Sequence, residues 1–191
     1  MSEADKWNAR YRSGSSELAV AAQVVRDNLH LLPAGGRALD LAAGLGGNAL
    51  LLARRGFDTH AWDISEIAMA QLQQQAAQQQ QTIHCLARDI VAQPPEANSF
   101  DLIVVSRFLD RTLCPPAITA ALKPGGLLFY QTWSVDSSGG PGNPAYRLQR
   151  NELLRLFAGL EIILYREEGI MTPSAGEAML IARSPYPVSL A

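Results

Sequence analysis

The chain is poor in charge, cysteine and histidine. Only 18% of its 191 residues are charged, and the formal net charge is −2. Such a balance offers no basic footprint for a nucleic-acid backbone. The two cysteines, Cys85 and Cys114, stand far apart without metal-ligand spacing, which argues against a zinc knuckle or a disulfide framework. Both read as reduced thiols in a core. Of the three histidines, His30 and His60 have no companion acids at suggestive spacing, and His84 reads as a core residue of an apolar strand. No metal is expected. The first residues, with Glu3, Asp5 and Lys6, form no apolar signal region, and no run approaches membrane-spanning length. The expectation is a cytoplasmic protein with no membrane partner. Apolar residues are plentiful at 48%, which excludes global disorder and suits one domain with a real core.

Residues 1–32 read as a helical cap outside any sheet, with Leu18, Ala21, Val24, Val25 and Leu29 at helical spacing. Pro33-Ala-Gly-Gly36 breaks the chain before the first strand. Strand and helix patterns then alternate to residue 132, which implies parallel βαβ units with right-handed crossovers. Gln71–Gln81 reads as the solvated face of a helix, since glutamine is a fair helix former. A loop rich in Ser, Gly and Pro covers Ser134–Pro144, and a short helix over about 151–158 ends at Gly159. Strands at about 160–166 and 177–183 are close enough to form an antiparallel pair. A single domain over 1–191 results, with its sheet over 37–183 and a mobile tail over 184–191. The fold class is α/β: a doubly wound, mostly parallel seven-stranded sheet with an antiparallel last strand and helices on both faces.

The most telling stretch is 37–55. A short apolar strand carrying Asp40 runs into a small-residue turn and then an apolar helix. Gly44 and Gly46 let a ligand lie directly on the main chain, and the helix from about Gly47 points unpaired amides at it. On spacing alone this is a nucleotide-type site at the first βα turn. Asp40 narrows it, because a carboxylate gains nothing beside a pyrophosphate. S-adenosylmethionine carries an ammonium and a sulfonium and no phosphate, so the acid favours it over a dinucleotide.

The pattern resembles the seven-stranded (class I) S-adenosylmethionine-dependent methyltransferases, in family order over residues 37–131 and more weakly to about 183. The turn Ala42, Gly44, Gly46 and Asn48 matches the family's Gly-x-Gly-x-Gly element with Ala42 in place of the first glycine. Asp63, 23 residues after Asp40, and the adjoining Ile64 fall where the family bridges the ribose hydroxyls. Asp89 and Ile90 fall where it places a carboxylate near the adenine amine. Ser99–Val105 resembles its fourth strand, with Ser106 at the ligand edge, and Leu122–Gln131 its helix-to-fifth-strand junction. Asp5–Tyr11 is similar to the Trp-(Asp/Asn)-x-Arg-Tyr element that caps the cofactor in tellurite-resistance (TehB-like) and thiopurine methyltransferase-like enzymes. That implies cofactor contacts for Trp7, Arg10 and Tyr11, with Arg10 on the methionine carboxylate.

For the acceptor, Arg107 follows the fourth strand, and Tyr146 and Arg147 follow the flexible loop, so all three are assigned to its pocket. Arg107 and Arg111 suit a small anionic acceptor. The Asn/Asp-Pro-Pro-aromatic motif of adenine- or glutamine-directed amino methyltransferases is absent, and Cys114-Pro115 reverses the Pro-Cys order of cytosine C5 enzymes in what reads as a loop. The expected activity is methyl transfer to a small molecule, a thiol, metalloid anion or other soft nucleophile, leaving S-adenosylhomocysteine. Two alternatives stay open: a binding or sensor protein without turnover, and an NAD-dependent oxidoreductase using Gly44-x-Gly46-x-x-Ala49. The sequence does not decide between monomer and homodimer.

Overall fold

The computed structural model describes residues 2–14, 19–112, 114–167 and 177–187. Seven strands form one sheet: β1 (Arg37–Leu41), β2 (Asp58–Asp63), β3 (His84–Ala87), β4 (Phe100–Ser106), β5 (Leu122–Thr132), β6 (Glu161–Glu167) and β7 (Ala178–Arg183). Their order is β3-β2-β1-β4-β5-β7-β6. The first five pair in parallel, and β7 runs antiparallel to both β5 and β6. Strand order reverses beside β1, and the ends of β1 and β4 open the crevice where such sheets take ligands.

The central strands are buried on both faces and therefore read as continuous apolar runs. One face packs Leu39, Leu41, Ile103, Val105, Leu128 and Tyr130 against Ile118, Leu153 and Phe157. The other packs Ala38, Leu102, Val104 and Phe129 against Val24, Val25 and Leu52. The helices are α1 (Glu3–Ser13), α2 (Gln23–Arg26), α3 (Gly47–Arg54), α4 (Glu66–Gln78), α5 (Cys114–Ala121) and α6 (Glu152–Leu156). In α4 the buried stripe is Ala68, Met69, Leu72 and Ala76, while Gln73, Gln74 and Gln78 are exposed, so the glutamine run is a solvated face.

Several expectations are corrected. The helical cap is divided into α1, the single turn α2 and a 3-10 turn at Leu29–Leu31; residues 15–18, with Leu18 of the predicted stripe, lie outside the described residues. The β3-to-β4 crossover, residues 88–99, holds no helix, so strict alternation fails there. Cys114 opens α5 and is not in a loop, because Pro115 and Pro116 suit the first turn of a helix, where no amide partner is needed. His84 is exposed on the edge strand, not in the core. The tail does not loosen at Ser184: its amide donates to the Gly126 carbonyl, and the Gly125 amide donates to Ser184. Of the predicted tail, residues 188–191 lie outside the described residues. Among the described residues, no helix is long and apolar enough to cross a membrane.

Candidate active site

The turn after β1 is built on left-handed backbone. Ala42, Gly44 and Gly46 have φ of 56, 54 and 75°. A side-chain carbon at Gly44 would meet the Tyr11 hydroxyl at 2.7 Å, and one at Gly46 would strike Leu72 at 2.3 Å. Glycine is therefore required there by approach as well as by φ. Ala42 holds a left-handed conformation that costs an L residue roughly 1–2 kcal/mol. Ala42→Gly relieves that strain, less the extra chain entropy of glycine of roughly 0.5–1 kcal/mol. The expected result is a melting temperature raised by about 2 °C, read by calorimetry.

Two acids brace this turn. Asp40, fully buried, accepts from the Ala49 amide at 3.0 Å and from Asn48 Nδ2 at 3.1 Å. Burial pushes its carboxyl up to about 7 despite those two donors. The role found for Asp40 is thus to anchor the turn to the start of α3. Asp63 accepts from the Gly44 amide through Oδ2 and from the Ser65 amide through Oδ1, both at 2.9 Å. Its carboxyl is also raised, first by burial, with the Ser65, Gly44 and Ile64 amides pulling it down. Ser65, not Asp63, caps α4, since its hydroxyl accepts from Ala68. With the Gly44, Ser65 and Ile64 amides on its carboxylate, Asp63 keeps acceptor capacity for a ligand hydroxyl.

Asn48 is a hub. Its amide nitrogen reaches Asp40 and Ser106 Oγ, and its carbonyl accepts from the Ala22 amide at 2.7 Å. It therefore ties β1, β4 and the segment before α2 into one edge. Asp89 is exposed and uses Oδ1 on the Val91 and Ala92 amides, a turn that leaves Oδ2 outward, while Ile90 is buried beside it.

Helix α1 lies across the turn. Trp7 and Tyr11 stack at 6.1 Å, and Tyr11 is pushed up to about 12, first by burial and then by Asp63. Arg10 is exposed, its guanidinium 5.3 Å from the Trp7 ring centre, and its charge acts on the neighbouring Tyr11. What docks the helix is Asn8, which sequence reasoning missed. Its Oδ1 accepts from Ser65 Oγ at 2.7 Å, and the Gln71 side chain donates to the Tyr11 carbonyl. Asn8→Ala removes the acceptor of a buried hydroxyl, a loss of roughly 1–2 kcal/mol confined to the cap. Faster amide exchange in residues 3–12, with β1 and β4 unchanged, is the expected readout.

Beside the turn, a polar cavity of about 240 Å³ is lined by Ser106, Arg107, Gln131, Glu177 and the segment 20–23 with Arg26. Arg107 follows β4 in a left-handed conformation, φ 55°, of the strained kind that gathers at functional sites. Its Nε donates to Glu177 at 2.8 Å, and its guanidinium stands 5.0 Å from the Trp133 ring centre. Glu177 also accepts from Gln131 Nε2 at 2.7 Å. Neither Glu177 nor Trp133 stood out in the sequence.

The other arginines are corrected. Arg147 donates to four loop carbonyls, those of Ser134, Ser137, Gly139 and Pro141. Arg111 donates to Glu152 and to the Ala145 and Arg147 carbonyls. Both guanidiniums are spent on holding the 134–152 loop, which needs donors for its unpaired carbonyls. Tyr146, exposed, meets α1 through Lys6, whose Nζ lies 5.5 Å from its ring centre. The loop and the cap therefore approach each other over the edge that carries the turn.

Comparison with known proteins agrees with this arrangement. The methyltransferase-domain family matches residues 13–173. Hemagglutinin 1 of Eikenella corrodens is 31% identical over 139 residues, 69% of this chain and 46% of that protein. The chain thus spans about half the length of the curated relative it matches. TehB from Haemophilus influenzae is 24% identical with a TM-score of 0.69, over 95% of this chain and 66% of that one. A TehB-like SAM-dependent methyltransferase from Corynebacterium glutamicum is 19% identical with a TM-score of 0.65, over 95% of each chain. Sheet order, glycine turn and a family match over most of its length agree: the chain belongs to the methyltransferase-domain family.

Proposed function

We propose that the chain transfers the methyl group of S-adenosylmethionine to a small polar or anionic acceptor. The observation that carries this reading is the glycine turn clamped between two buried acids, covered by Tyr11, and adjoining a polar cavity. The turn residues fit such a cofactor, since Asp63 supplies an acceptor and negative charge for a ligand with two cationic groups and no phosphate, while Asp40, buried beneath the turn, holds its shape. When bound, the cofactor supplies an electrophilic methyl group that already carries its activation.

The protein's own part is alignment and exclusion of water. Asp63 offers its remaining acceptor capacity to ribose hydroxyls. Tyr11, backed by Trp7, covers the turn, and Tyr146 of the 134–147 loop meets the same helix through Lys6. Arg107, held at a fixed angle by Glu177 and Trp133, presents its remaining donors to the acceptor and positions it for in-line attack. Soft nucleophiles need little base assistance, which fits an edge where Glu177 is already committed to Arg107 and Gln131. The cavity volume and the acidic net charge favour a small molecule over nucleic acid.

Labelled S-adenosylmethionine with a panel of thiols, phenols and metalloid anions tests this reading. Transfer to one acceptor class supports it. Cofactor binding with no transfer to any member points to a sensor. On an accepted substrate, Arg107→Lys keeps the charge that Glu177 needs but loses the guanidinium fork, and should lower kcat/KM about tenfold at unchanged S-adenosylhomocysteine affinity. Arg147→Ala should instead lower turnover and melting temperature together, because it frees four loop carbonyls.

A further inference from the structure

A second cavity, of about 500 Å³, runs along β2 and β3, from Arg37 and His84 at the strand starts to Trp62 and Arg88. It opens where the β3-to-β4 crossover lacks a helix, and Arg37, His60, Trp62, His84, Leu86 and Phe100 are among the residues that line it. We propose that Asp58, His60 and His84, at the rim of this cavity, bind one late first-row divalent metal ion such as Zn²⁺.

The placement follows from strand geometry. Asp58 and His60 are two apart on β2, so both side chains leave the same face of the sheet. His84 is the register partner of His60 on the neighbouring parallel strand β3 and joins them there. The three potential ligand atoms all lie within 4.8 Å of one another. Asp58 Oδ2 is 3.6 Å from His60 Nε2, and Asp58 Oδ1 is 3.2 Å from His84 Nε2. Two zinc-ligand bonds of about 2.0–2.1 Å at a tetrahedral angle set their donor atoms about 3.3–3.4 Å apart. Both carboxylate distances lie near that value, but the His60 and His84 rings stack at 4.6 Å, so an ion requires the exposed His84 ring to turn its Nε2 inward. Two imidazoles and one carboxylate form a donor set suited to zinc and its neighbours, with the fourth position left to water from the cavity.

The present occupant of this space is itself a cation. Arg37 Nε donates to His60 Nε2 at 3.0 Å and lies 3.8 Å from Asp58 Oδ2. His60 therefore already presents an unprotonated Nε2, the form that a metal requires. A divalent ion takes over both of these partners and adds His84. Arg37 is substantially exposed, and its guanidinium rests 5.1 Å from the Phe100 ring centre, so it can turn outward without burying its charge. The ion would tie the edge strand β3 to β2. Asp58 and His60 stand five and three strand steps from Asp63, about 16 and 10 Å along β2, so the ion would be separate from the transfer chemistry.

Zn²⁺ alone, titrated into the full chain against a chromogenic chelator, tests the site. The expected result is one equivalent bound with a Kd of about 10 μM or tighter at about pH 7.5. His84→Ala and Asp58→Asn should each weaken binding at least about tenfold, and Arg37→Ala should strengthen it by removing the competing cation. Zn²⁺ at roughly 100-fold over its Kd should raise the melting temperature of the wild type by about 5 °C, with no rise in His84→Ala. Both substituted positions are exposed, and melting curves in chelator verify that the variants fold. No binding at about 100 μM Zn²⁺, or an affinity indifferent to His84→Ala and Asp58→Asn, overturns the proposal.

Discussion

Asp63→Ala is expected to weaken S-adenosylmethionine binding by roughly ten- to hundredfold, or about 1.4–2.8 kcal/mol. Two charge-assisted bonds to the ribose hydroxyls disappear, each about 1.5–3 kcal/mol before water compensates. A loss of stability accompanies it, because the same carboxylate accepts from the Gly44 and Ser65 amides. Orphaning those donors costs about 1–3 kcal/mol each if neither finds water, which lowers the melting temperature by several degrees. Calorimetric titration of the variant, still folded at the working temperature, separates the two effects. A lowered melting temperature with unchanged affinity would leave Asp63 as a brace of the turn and remove it from the binding site.

The second large effect concerns Asp40. Asp40→Asn keeps the shape but replaces one acceptor oxygen with a donor, set against either the Ala49 amide or the Asn48 side chain. At about pH 5 the protonated carboxyl still has an accepting hydroxyl oxygen that the amide nitrogen lacks, so a buried donor facing a donor costs about 1–3 kcal/mol there and the melting temperature should fall by several degrees. The substitution also changes the pH dependence of stability. Burial raises the wild-type carboxyl to about 7, so between about pH 4 and 7 the folded state holds a proton that the unfolded chain has released. Stability from this group is therefore greatest in acid, declines by about 1 kcal/mol per pH unit on approach to 7, and levels off above. Burial holds His60 below its ordinary range, which acts in the opposite sense as pH rises through about 6.5. Glu152 and Asp101 are held low by Arg111 and Lys123, so their contributions are present above and lost below about pH 4.5. The difference between wild type and Asp40→Asn from pH 5 to 7 isolates Asp40: it should shrink steadily as pH rises. A difference that is constant with pH would mean that Asp40 titrates normally.

Much of this was legible in the chain. The seven strands could be read because buried parallel strands are apolar runs, and because Gly44, Gly46 and Asp63 mark the ligand edge of the first two; the strand order β3-β2-β1-β4-β5-β7-β6 is a finding of the structure. Failures came where the outcome depended on neighbours distant in sequence. His84 lies in an apolar stretch, but β3 is an edge strand, so alternate residues face outward and His84 meets Asp58. Arg107, Arg111 and Arg147 look alike in the sequence. Backbone carbonyls and Glu152 claim two of them, and only the third reaches the cavity. Glu177 gave no signal, since its place beside Arg107 is set by the antiparallel register of β7 against β5. Asn8 was hidden for a related reason, as a polar residue on the buried side of a helix whose partner, Ser65, is 57 residues away.

Calorimetric titration of the pure protein with S-adenosylmethionine, S-adenosylhomocysteine and NAD shows whether the turn braced by Asp40 and Asp63 holds S-adenosylmethionine. One equivalent of each of the first two should bind, with affinity weakened in Asp63→Ala, and NAD should give no measurable heat. NAD binding tighter than either S-adenosyl ligand would contradict this.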